Sequence, residues 1–110
     1  MVRRMLAGAL ALSLAGVMGG VQPASAARTR VKIVDFAFEP KRKAIPQGTK
    51  VTWTNKGDES HTVTSNTGKF DSGTLNPGES FTKRFNRTGV FKYHCEIHPE
   101  MVGKIIPSDV

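Results

Sequence analysis

Beyond position 39, glycine and proline interrupt this chain about every ten residues: Pro40, Pro46-Gln47-Gly48, Gly57, Gly68, Gly73, Pro77-Gly78, Gly89, Pro99, Gly103 and Pro107. No helix of useful length fits between such breaks, because a proline removes a backbone donor and a glycine loosens the backbone. What lies between them is short, β-branched and aromatic, the pattern of a sandwich or barrel. The runs predict strands at Val31–Phe36, Lys43–Ile45, Lys50–Asn55, His61–Ser65, Ser80–Phe85, Gly89–Cys95 and Val102–Ile106. Side chains alternate across a strand. Val51 and Trp53 are therefore expected to face opposite to Thr52 and Thr54, Phe81 to share a face with Phe85, and Phe91 and Tyr93 to share one with Cys95. The fold class this predicts is all-β, an antiparallel two-sheet β-sandwich of about seven to eight strands.

The start of the chain reads differently. Arg3 and Arg4 precede an apolar run from Leu6 to Met18, broken only by Ser13, and Ala24-Ser25-Ala26 follows. A basic start, a short apolar stretch and a small-x-small site describe a cleaved secretory signal. The run is shorter than the roughly 20 residues a membrane span needs. The expected organisation is a signal peptide over 1–26 and a single domain over 27–110, with periplasmic, cell-envelope or extracellular localisation and no stable membrane insertion. The paired arginines are only a weak sign of a twin-arginine route.

Removing the signal takes two of 16 basic residues and none of the 9 acidic ones, so the remaining 84 residues carry a net charge of +5. It also removes Met1, Met5 and Met18, which leaves one Cys (Cys95) and one Met (Met101). A domain of this size buries only about 60–65% of its unfolded surface and gains from a staple. Exported domains ordinarily use disulfides, but a lone cysteine cannot form an internal one. A free exported thiol is open to oxidation. Metal ligation would protect the thiolate and add folding free energy.

The segment Tyr93-His94-Cys95-Glu96-Ile97-His98-Pro99-Glu100-Met101 supplies the chemistry for that. Cys95, His98 and Met101 lie three residues apart on a loop between two strands, and His61 stands 34 residues before Cys95 at the start of another. Soft sulfur with imidazole selects copper or zinc over magnesium or calcium, and two His, one Cys and a weak axial Met suit copper electron transfer. A zinc site would want four strong ligands, commonly with more than one Cys. Haem attachment would need C-x-x-C-H, which is absent. A backbone N–H donated to the Cys95 sulfur is expected from beside His61, with Thr62 the natural source. Strand alternation turns His94 away from Cys95, to the rim or solvent.

Residues 31–106 resemble the cupredoxins, type 1 blue copper proteins, of the plastocyanin and amicyanin group. The matching pieces are Phe36-Ala37-Phe38-Glu39-Pro40, Pro46 to Asn55, Ser60-His61-Thr62-Val63, Phe70-Asp71-Ser72-Gly73, Pro77-Gly78 and Gly89 to Cys95. The C-x₂-H-x₂-M loop is similar to amicyanin's compact form. The resemblance implies a Greek-key sandwich with one copper at one end, ligated by His61, Cys95, His98 and Met101. It also implies that His98 reaches the surface.

The function expected on these grounds is one-electron carriage between redox proteins by a monomer that is not an enzyme. Copper storage or delivery through the same site is the alternative. The positive charge points to partners with an acidic docking surface, with Lys41-Arg42-Lys43 and Lys83-Arg84 with Arg87 as steering groups. Nucleic-acid binding by charge alone would leave the four ligands unexplained, and no nucleic-acid partner is expected.

Overall fold

The computed structural model describes residues 27–109, so the expected signal segment lies outside the described residues. Eight strands follow in chain order: β1 (Arg28–Val34), β2 (Ala37–Glu39), β3 (Arg42–Pro46), β4 (Thr49–Asn55), β5 (Thr64–Ser65), β6 (Ser80–Phe85), β7 (Phe91–His94) and β8 (Val102–Ser108). They form two four-stranded sheets, ordered β2-β1-β4-β6 and β3-β8-β7-β5. The all-β sandwich expected from the turn spacing is present.

The sheets are mixed, which corrects the all-antiparallel expectation. Strand β1 runs parallel to β4, with Arg30 opposite Thr52 and Lys32 opposite Thr54. Strand β3 runs parallel to β8, with Arg42 opposite Lys104. Parallel neighbours need a crossover. The chain provides one by leaving the first sheet after β2, adding β3 to the second sheet, and returning as β4 beside β1.

Most strand ends shift by one to three residues, β2 is an added strand, and two differences bear on the site. The run expected over Val31–Phe36 ends at Val34, because Phe36 takes a left-handed backbone (φ 77°) and the chain folds back as β2. The run expected over His61–Ser65 keeps regular pairing only at Thr64 and Ser65. His61 instead makes an isolated bridge to Leu75.

The core lies between the sheets, and alternation selects its members. In β4 every second residue (Thr49, Val51, Trp53 and Asn55) is buried, while Thr52 and Thr54 face outward and bond Thr82 and Ser80 across the ladder at 2.8 Å each. Trp53 is the hub. Its ring packs against Phe70, Phe81, Phe85 and Tyr93 at centroid distances of 6.0, 5.7, 6.2 and 5.4 Å. Gly103 lies opposite Tyr93 across the β7–β8 ladder, and a Cβ there would sit 2.6 Å from the phenol oxygen. Only a glycine lets the ring lie flat under β8.

Tyr93, the chain's one tyrosine, is fully buried. Desolvation pushes its phenol up from 10.0 to about 12. The Trp53 indole N–H pulls weakly the other way, but the two groups do not reach hydrogen-bonding geometry, so burial prevails. The folded state thus disfavours the phenolate. Stability from this group is full below pH 10 and falls as pH rises towards 12, by about 2–3 kcal/mol. Phenolate absorbance is expected to rise only near pH 12, or with unfolding. A reversible midpoint near 10 in the folded protein would mean that the ring is open to water.

Candidate metal centre

Strands β7 and β8 pair antiparallel, with His94 opposite Val102, so the loop between them starts and ends at one place. Cys95 follows β7 directly and Met101 precedes β8 directly. The Cys95 N–H donates to the Met101 carbonyl at 3.0 Å, and the Met101 N–H donates to the His98 carbonyl at 2.9 Å. These bonds cinch residues 95–101 into a tight loop that carries three of the four sequence-predicted residues.

The fourth comes from the other side. His61 and Leu75 exchange two backbone hydrogen bonds, at 3.1 and 2.7 Å. Buried Asn55 locks the surrounding loop: its Nδ2 donates to the carbonyls of Glu59 and Leu75 at 2.8 Å each, and its Oδ1 accepts from the Gly57 N–H at 2.9 Å. All polar atoms of that amide are used, as a buried polar group requires.

The donor atoms of His61, Cys95 and His98 lie within 4.8 Å of one another. The Cys95 Sγ stands 3.8 Å from His61 Nδ1 and 3.9 Å from His98 Nδ1. Metal–nitrogen bonds of about 2.0–2.1 Å and metal–sulfur bonds of about 2.3 Å, set at 120°, put the two donors roughly 3.8 Å apart. The three residues are thus close enough to share one ion. His61 and Cys95 are fully buried, and Met101 is 1% exposed at the base of the same loop. His98 keeps 18% of its side chain exposed. Its ring packs T-shaped against Phe36 at a centroid distance of 5.1 Å and lies tilted to the His61 ring at 5.0 Å.

The second layer matches one expectation and adds a group that sequence reasoning missed. The Thr62 N–H donates to the Cys95 sulfur at 3.4 Å, as expected, and the Thr62 hydroxyl accepts the Glu96 N–H at 2.8 Å. The missed group is Asp35. Its Oδ1 lies 3.0 Å from His61 Nε2 and accepts the Glu59 N–H at 3.1 Å, while its Oδ2 accepts the Asp58 N–H at 3.0 Å. The Asp58 N–H, then the His61 ring, hold its carboxyl below the ordinary 3.8. An ionised carboxylate only accepts. Nε2 therefore carries the proton, and the Nδ1 lone pair is left facing the sulfur. Gly57 makes the approach possible, since a Cβ there would collide with the Asp35 carboxylate.

Asp35 escaped notice because it lies 26 residues from His61, at the end of a run read as one strand through Phe36. The turn explains both residues. Left-handed backbone on a large side chain costs on the order of 1–3 kcal/mol, and here it points Asp35 at one imidazole while Phe36, 55% exposed, covers the other. His94 behaves as expected, outside the cluster, with its ring nitrogens at 2.6 Å from Asn66 Oδ1 and 2.7 Å from Glu96 Oε2.

Known proteins are similar to this chain in sequence and in fold. The family model of the Cupredoxin-like domain matches residues 5–106. Amicyanin-alpha of Methylorubrum extorquens is 33% identical over 103 residues, with 89% of this chain and 87% of the relative covered. Chloroplastic plastocyanin of Tetradesmus obliquus is 37% identical over 84 residues, which span 64% of this chain and 58% of that one. Among solved structures, a purple cupredoxin from Nitrosopumilus maritimus has a TM-score of 0.68 at 34% identity, over 73% of this chain and 99% of the other.

Proposed function

Because the chain belongs to the cupredoxin-like family, whose cofactor is copper, we propose that it is an exported one-electron carrier with one type 1 copper held by His61, Cys95, His98 and Met101. The observation that carries this reading is the convergence of the His61, Cys95 and His98 donors, 3.8 and 3.9 Å apart around a buried sulfur. Copper bound there supplies a one-electron couple between Cu(II) and Cu(I).

The chain's own residues account for the rest. Cys95 offers a soft sulfur that accepts the Thr62 N–H. Asp35 fixes the tautomer and aim of His61. The cinched loop and the buried His61 bridge resist movement, which keeps the donor positions alike in both oxidation states. His98 is the donor a partner meets at the surface. One cluster of three such donors among the described residues suits carriage without catalytic turnover. The basic start, apolar run and Ala24-Ser25-Ala26 support export. The net positive charge supports a monomer that docks briefly with acidic redox proteins.

The test is an absorption spectrum of the mature protein titrated with Cu(II) and then reduced with ascorbate. An intense visible band that bleaches and returns on reoxidation is expected. Bound Cu(I) or Zn(II) with no such band would overturn electron carriage in favour of metal storage or delivery.

Asp35→Asn tests the support of His61. Asparagine keeps the shape but removes the charge, so copper affinity is expected to fall about 10–100-fold. The reduction potential is expected to rise, since a lost negative charge favours the less positive Cu(I). In the metal-free protein, Asp35 contributes stability above its ordinary value of 3.8, and this is lost as pH falls through the depressed value. The variant should lack that acid-range component in urea titrations.

A further inference from the structure

Three cations stand abreast on the outer face of the β3-β8-β7 sheet. Arg42 is directly opposite Lys104, and Lys104 is directly opposite Lys92. Burial alternation turns all three outward: Tyr93, Gly103 and Ile105, beside Lys92 and Lys104, are buried, and in β3 exposed Arg42, Ala44 and Pro46 alternate with half-buried Lys43 and buried Ile45. Like charges directly opposite one another destabilise a sheet, and folding alone gives no reason for the row. Among the described residues, no carboxylate lies within ion-pair distance of Arg42, Lys92, Lys104 or the adjacent Lys41. Glu96, which reaches this face, is taken up by His94 at 2.7 Å.

The row lines a concave groove of about 450 Å³, with Lys41 and Asn66 at its sides and half-exposed Val102 at its border. A similar row exists on the other sheet, where Arg28 faces Lys50 and Lys50 faces Arg84, but there Arg84 donates to the Gly48 carbonyl at 2.9 Å. At the Phe85 end, Lys83 lies over the rings of Phe70 and Phe85, at 5.9 and 5.5 Å from their centroids.

We propose that the β3-β8-β7 groove docks an acidic segment of a protein partner, with at least three carboxylates set against Arg42, Lys104 and Lys92. The proposal rests on the carrier reading and says where the partner binds. Neighbouring strands are about 4.8 Å apart, so the row spans roughly 10 Å, too wide for one small anion and matched to several side chains. The apolar border at Val102 suits a protein surface, and it lies one residue beyond Met101. Electrostatic docking of this kind speeds association and weakens with salt.

The probe is a synthetic hexaglutamate peptide, titrated into the Cu(I)-loaded protein and followed by amide chemical shifts at low and physiological salt. Shifts are expected at residues 41, 42, 66, 92 and 102–104, fading as salt rises. Lys92→Glu with Lys104→Glu should weaken binding at least tenfold. Arg28→Glu with Lys50→Glu, the same charge change on the other sheet, should leave it within about twofold. Equal losses in the two double variants would overturn the proposal, because net charge alone would then explain binding. Inorganic tripolyphosphate binding as tightly at the same residues would overturn the protein partner in favour of a phosphate site. If the glutamate pair impairs folding, Lys92→Gln with Lys104→Gln replaces it, with the same order of effects. The visible band separates the two readings: a protein that keeps a reversible band yet shows no groove shifts retains electron carriage and loses this docking site.

Discussion

Cys95→Ser is expected to abolish the intense visible absorption of the copper-loaded protein. The buried sulfur lies 3.8 and 3.9 Å from the two imidazoles and accepts the Thr62 N–H at 3.4 Å. A serine oxygen is nearly the same size, so the loop closed by the Cys95–Met101 and Met101–His98 backbone bonds has no steric reason to open. What changes is chemical. A hydroxyl does not ionise at neutral pH as a metal-bound thiol does, and its oxygen is a harder, less covalent donor. The charge-transfer band should vanish, and Cu(I) affinity should drop by more than the 10–100-fold expected for Asp35→Asn. The metal-free variant should unfold within about 1.5 kcal/mol of its parent, since only a small buried group has been exchanged. Competition with a copper chelator and a urea titration measure the two effects separately. A retained visible band would mean that another residue supplies the sulfur–copper bond.

Trp53→Ala is expected to be the most damaging single change to the fold. The indole is fully buried in β4 and touches four other rings, two from β6, one from β7 in the other sheet and one, Phe70, from the segment between β5 and β6. Truncating a buried tryptophan costs about 3–5 kcal/mol, and each aromatic pair adds roughly 0.5–1.5 kcal/mol beyond its area. A domain of this size has a total stability of about 5–15 kcal/mol, so the metal-free variant should be partly or wholly unfolded at room temperature. Trp53→Phe should cost much less. It keeps most of the apolar surface and removes an indole N–H that has no hydrogen-bond partner among the described residues. Urea midpoints for the three metal-free proteins give the comparison, and copper should recover part of the loss by binding only the folded chain. If alanine and phenylalanine cost the same, the ring cluster is not what joins the sheets.

Local pattern carried the sequence reading far where the determinants are local. The alternation in Lys50–Asn55 sorted Val51 and Trp53 from Thr52 and Thr54, and the boundaries of Ser80–Phe85 are those of β6. The spacing of Cys95, His98 and Met101 put three residues on one loop, and the neighbour of His61 proved to be the sulfur's N–H donor. Strand direction was not legible, because a period of two says which face a residue takes and nothing about the partner strand. That is why an all-antiparallel sandwich is what the sequence suggests, although β1 beside β4 and β3 beside β8 run parallel. Asp35 was hidden for a related reason. Its partner is 26 residues away, and the turn that aims it depends on a backbone angle at Phe36 that the residue type disfavours.

The close approach of Asp35 to Gly57 has an evolutionary consequence. Any side chain at position 57 meets the carboxylate that orients His61, so the fitness of a substitution at one position depends on the residue at the other. Related sequences that keep an acid at position 35 should keep glycine at 57. Lineages that abandon the acid lose the collision with the carboxylate and keep only the tight approach to the backbone N of residue 35, 3.0 Å from such a Cβ. The two positions should therefore covary as a linked pair, and a library randomised at both should recover glycine at 57 chiefly in the company of Asp35.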